Sequence, residues 1–168
     1  MKQTDLQPLL IEFAAERLAL LQRHEAGARV VSHYDFNNTY QYVINREETH
    51  LTWLQSALTE HGASVPVPLQ PSRPLEVPTA GKKGDLSPFK GILDDDERRL
   101  EAFVERWRPR VAGVTHARHR IMLDVILGES LEHARLFQQA AAGFEDVLGR
   151  RTGGVARQGS VLSGRWQE

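Results

Sequence analysis

Side chains of the metal-ligating kind interrupt apolar helix stripes at matching places in the two halves of this chain. Amphipathic helices bury positions three and four apart. Read that way, one stripe runs Leu6, Leu9, Phe13, Glu16, Leu20 and a second Phe36, Tyr40, Val43, Glu47, His50, Leu54, Leu58. A third stripe runs Glu97, Leu100, Val104, Trp107, Val111 with Glu101 at its edge, and a fourth Met122, Ile126, Glu129, His133, Leu136, Ala140. In each half the upstream glutamate precedes the Glu/His pair by roughly thirty residues, which suits a helix folded back on its neighbour.

Proline divides the halves. Six of the eight prolines fall from Pro66 to Pro88, where lost backbone donors and a fixed φ favour extended, irregular chain. On either side the pattern predicts helices over about Leu6–Val30, Asn37–Glu60, Asp94–Arg108 and Thr115–Gly149. Ser87-Pro88 is a competing start for the third helix, and Thr115 a candidate N-cap for the fourth. The expected fold is all-α: two antiparallel hairpins joined by a long proline-rich crossover over residues 62–92, within a domain of residues 1–149. An up-down-up-down bundle with a floppy loop is the alternative. Residues 150–168 read as a flexible tail.

Composition narrows the chemistry. With 21 basic and 22 acidic residues the net charge is −1, which gives no electrostatic case for nucleic acid. Cysteine is absent, so disulfides and thiolate-held zinc or iron–sulfur centres are excluded. The start, MKQTDLQPLL, has no apolar signal core, and no apolar run is long enough to span a membrane, so the expected location is the cytoplasm.

Glu16, Glu47, His50, Glu129 and His133 all fall near helix midpoints, with Glu97 or Glu101 as the third-helix counterpart. An ionised carboxylate buried without a partner costs several kcal/mol, and four together would repel. Two divalent cations would cancel four negative charges and use the imidazoles as neutral ligands. Carboxylate oxygen and imidazole nitrogen suit iron, manganese or zinc.

The segments FAAER (Phe13 to Arg17) and NREETHLTWL (Asn45 to Leu54) resemble the first two helices of rubrerythrin-type ferritin-like proteins. Those carry a glutamate in an FAxE-like context and then Glu-x-x-His. GESLEHARLF (Gly128 to Phe137) is more loosely similar to their fourth-helix Glu-x-x-His, with Ser130 standing three before His133 and Glu129 or Glu132 as the nearby carboxylate. The resemblance implies a ferritin-like four-helix bundle without a rubredoxin module. It also implies a di-iron or iron–manganese centre that oxidises Fe(II) or reduces O2 or H2O2. Glu16, Glu47, His50, Glu97 or Glu101, Glu129 and His133 would be its ligands.

Other readings stay open. A metal-free interaction bundle is one. The HxxH of His116 and His119 is faintly similar to DinB-like four-helix proteins, which hold one metal with three histidines, and would bring in His50. At a helix end these two read as surface histidines, as do His24 and His61; Tyr40 reads as a core aromatic, and Asp94–Asp96 as a complement to a helix N-terminus. A homodimer is compatible with such a bundle, with no interface marked in the sequence.

Overall fold

The computed structural model describes residues 3–67, 74–76, 85–144 and 147–148. They form four helices: α1 (Gln3–Val30), α2 (Tyr34–Glu60), α3 (Ser87–Ala112) and α4 (Ala117–Ala141), with no strand among the described residues. None of these helices is long and apolar enough to cross a membrane. The interior of the expected crossover and the expected tail lie largely outside the described residues.

Local chemistry explains the ends. α3 takes the earlier start, with Pro88 in its first turn where a missing N–H costs nothing. It runs through Pro109 to Ala112, so that proline spoils a bond only in the last turn. α4 is capped by His116 rather than Thr115, its ring Nδ1 accepting from the His119 amide at 3.4 Å. It stops at Ala141, eight residues short of the expected Gly149, where Gly143 turns the chain at φ +90°.

Residue pairs set the helix directions. Gln7 donates to the His61 carbonyl and Asn37 to that of Ala28, so α1 and α2 are antiparallel. Glu12 with Arg110, and Arg23 with Asp96, make α1 antiparallel to α3. α2 and α3 therefore run the same way. Arg46 with Glu129 and Glu60 with Arg118 make α4 antiparallel to α2.

Two apolar clusters fill the bundle. One gathers Leu10, Phe13, Leu54, Leu58, Phe103, Trp107 and Leu123; the other gathers Val31, Phe36, Tyr40, Leu93, Leu100 and Phe137. The Phe13 and Trp107 rings meet edge to face at 4.9 Å and 73°, the arrangement their quadrupoles favour. Between these clusters lies a buried polar layer of Arg17, His24, Glu47, His50, Ser130 and His133.

Candidate functional site

Arg17 is the centre of that layer. Its side chain is fully buried, with the guanidinium 5.7 Å from the Phe103 ring centroid. Nη1 donates to Ser130 Oγ at 3.0 Å, and Nη2 lies 3.0 Å from His50 Nδ1 and 3.2 Å from Glu47 Oε1. A guanidinium only donates, so His50 Nδ1 is the acceptor and its Nε2–H donates to Glu129 Oε2 at 2.8 Å. On the other side His24 Nδ1–H donates to Glu47 Oε2 at 2.8 Å. Arg46 grips Glu129 with two bonds, at 3.0 and 2.6 Å. Ser130 donates its own hydroxyl hydrogen bond to the Ile126 carbonyl at 2.7 Å, which leaves its lone pairs for Arg17.

Charge in this layer is balanced within the protein. Burial would raise the Glu47 carboxyl, but His24 and the Arg17 cation outweigh it and hold it below the usual range. Glu129 follows the same pattern: burial raises it, and bonds from Arg46 and His50 bring it lower. Burial, reinforced by Arg17, pushes His50 down to about 4 and His133 to about 3, so both imidazoles are neutral at pH 7. Each carboxylate thus has its own arginine, and His50 is a neutral spacer between the two pairs.

The structure brings four of the expected residues together: Glu47, His50, Glu129 and His133, the last two histidines stacked with centroids 6.2 Å apart and planes at 21°. It turns three away. Glu16 points toward α3, accepting from Trp107 Nε1 at 2.8 Å and from Arg106. Glu101 is exposed, and Glu97 is half-buried beside Gln138, its carboxyl raised by partial burial and by Glu101. Glu132 is exposed and paired with Arg135.

Sequence reading missed Arg17, His24, Ser130 and Arg46. The inward row of α1 is Leu10, Ala14, Arg17, Leu21, His24, spaced four, three, four, three. Phasing from Leu9 and Phe13 instead put Glu16 inside, one residue off, which on a helix is a rotation of about 100°. Two histidines expected at the surface are buried: His24 within the polar layer and His119, 2% exposed, at the bundle end. Tyr40 is a core residue that also donates to Asp96. The aspartate run sits beyond the first turn of α3, and Asp95 and Asp96 bind Arg23 of α1 rather than complementing a helix N-terminus.

These residues do not fit a pair of metal ions. Such a pair would occupy the space of the Arg17 guanidinium, whose permanent charge would repel it. Of the four carboxylates expected, two reach the layer, and each is bound by an arginine. Among the described residues no group of three His, Asp or Glu side chains stands ready to hold a metal ion. Buried atoms without a hydrogen-bond partner there are His24 Nε2, His133 Nδ1, Arg17 Nε and Glu47 Oε1, the last held by charge alone to Arg17.

The layer opens on one side. An open cleft of about 730 Å³ runs between α2 and α4, with Arg46, Glu129 and His133 at its polar end and Tyr42, Leu136, Val147 and Leu148 among its walls. Set against protein-family models, curated proteins and solved structures, the chain matches none of them.

Proposed function

We propose that this chain is a ferritin-like four-helix bundle that works without a metal pair, as a binding protein for a small organic molecule. The observation that carries this reading is the position of Arg17, bonded to Ser130 and His50 and paired with Glu47 at the point where the four helices meet. The helix directions support the ferritin-like assignment, because parallel α2 and α3 require a connection returning the length of the bundle.

The cleft supports a binding role and limits the ligand. Its charged groups are already matched, Arg46 with Glu129 and Glu132 with Arg135. A charged ligand would break one of these pairs. A molecule with an apolar body against Tyr42 and Leu136 and an uncharged hydrogen-bonding head at His133 would break none.

Two measurements test the reading. Metal content after anaerobic loading with Fe(II) or Mn(II) should show no ion whose retention depends on Glu47 and His133. About two ions per chain, lost in Glu47→Ala and His133→Ala, would overturn it in favour of a redox centre acting on Fe(II), O2 or H2O2. A ligand-observed NMR screen of neutral amphipathic fragments should give binders that Leu136→Arg abolishes. Binders indifferent to that substitution would place the function elsewhere on the protein.

A further inference from the structure

The far end of the α2–α4 seam holds a second cluster, independent of the mid-bundle layer. His119 is 2% exposed, yet both of its ring nitrogens are buried without a hydrogen-bond partner, as is Nε2 of His61. A neutral imidazole has one donor and one acceptor, so His119 leaves both unmet. Such a residue in a folded core marks a place where something other than the chain supplies the partner.

We propose that Glu60, His61 and His119, joined by His116, form a binding site for a divalent transition-metal ion of the zinc class. Donors 2.0–2.1 Å from a tetrahedral zinc stand about 3.3 Å from one another. His119 Nε2 and Glu60 Oε2 are 3.5 Å apart without forming a hydrogen bond, close to that edge length. Two imidazoles on one such ion have ring centroids about 5 Å apart by the same geometry, and those of His61 and His119 are 5.4 Å apart. The His116 ring is tilted 35° to that of His119, with centroids 4.2 Å apart, closer than two ligand rings sit. His116 is exposed at the start of α4, and turning its ring away from His119, which gives up the long Nδ1 cap on the His119 amide, presents Nε2 as the fourth donor.

Two rearrangements accompany binding. No three donors among the described residues are yet turned on one point, so His61 and His116 must rotate about their side-chain torsions. Arg118, now paired with Glu60, must leave it; its side chain is 65% exposed and returns to water. The ion would tie the last turn of α2 to the first of α4. This site differs from the one-metal arrangement expected from His50, His116 and His119, because His50 lies ten residues from Glu60 along α2, about 15 Å away.

The test is titration of the full chain with Zn(II) against a chromophoric chelator, together with Co(II) absorption. Trp53 lines a pocket of about 210 Å³ together with Glu60 and His119, so it reports Cu(II) there by quenching. One zinc per chain is expected, with intense tetrahedral Co(II) bands. Affinity should fall about tenfold or more in His119→Asn and in His61→Gln. Glu60→Gln, at a half-exposed position, weakens zinc binding without unfolding the bundle, and His133→Asn leaves it unchanged. No uptake by the folded protein, or uptake equal in wild type and the folded Glu60→Gln and His61→Gln variants, would overturn the proposal.

Discussion

Arg17 Nη1 donates to Ser130 Oγ at 3.0 Å, joining α1 to α4 across the middle of the bundle. The two residues depend on each other chemically. A buried guanidinium needs acceptors on all sides, and a serine that donates its hydroxyl hydrogen bond to its own helix at Ile126 is a pure acceptor at that spot. A glutamate at position 130 would add a third carboxylate to the layer. A serine there leaves Arg17 balanced against Glu47 alone, with Glu129 attended by Arg46.

Arg17→Met should therefore destabilise the protein by about 3–5 kcal/mol, because it takes the arginine cation from the buried Glu47 carboxylate and leaves it with His24 alone. Adding Glu47→Gln to that variant should recover most of the loss, since the amide carries no charge to strand. Urea unfolding of the wild type, both single variants and the double variant measures the coupling. Additive losses would mean that Arg17 and Glu47 are not the paired unit described above.

Arg17→Glu with Ser130→Glu reverses the argument. The layer would then present four carboxylates with His50 and His133, and the apoprotein should be markedly less stable than wild type. Co(II) or Fe(II) should restore it, by about 2.7 kcal/mol at a hundredfold excess over the dissociation constant. Thermal melts with and without metal, alongside the unresponsive single variants, check this outcome.

Acid should loosen this bundle early. His50 falls from 6.5 to about 4 on folding and His133 to about 3. Well above pH 6.5 both are neutral in either state and contribute no pH dependence. As the pH falls below 6.5 the unfolded chain takes up protons that the folded one refuses, so stability drops. The slope reaches about 1.4 kcal/mol per pH unit for each histidine. The loss is complete only below the folded values, and the lowered carboxyls of Glu47 and Glu129 add to it at the acid end. Urea midpoints between pH 7 and 4 should fall steadily, and His50→Gln should make the slope shallower.

Gly27 carries a different constraint. A Cβ there would meet the Tyr40 ring at 2.7 Å, and that ring is pinned because its hydroxyl donates to Asp96. Alanine improves helix propensity by about 1 kcal/mol. Overpacking against a fixed aromatic costs about 1–3 kcal/mol, so Gly27→Ala should be net destabilising. Tyr40→Leu in the same chain should reverse the sign, as thermal melts of the three variants would show.

Much of the architecture is legible in the chain itself. Apolar residues at helical spacing, Gly62 after α2, Ser87-Pro88 and the proline-rich middle mark four helices with short turns inside each pair. Glu47, His50 and His133 fall on buried faces with Tyr40, Val43, Leu54, Ile126 and Ala140 of their stripes, but Met122, Glu129 and Leu136 of the fourth stripe are only half-buried, and Leu123, Ser130 and Phe137, outside it, are buried instead. What α1 buries was not legible. Leu9, Leu10, Phe13 and Ala14 are all buried, so the apolar pattern allows two phases, and only contact with α2 and α4 selects the one that carries Arg17 inward. That choice decides the character of the site. A carboxylate-rich cavity calls for cations from solution, and a chain that supplies its own cation at Arg17 answers the same charge from within. Periodicity reports which residues are apolar enough to face inward. Whether a buried glutamate meets a guanidinium is decided by packing between helices remote in sequence, where Coulomb attraction and desolvation are balanced atom by atom.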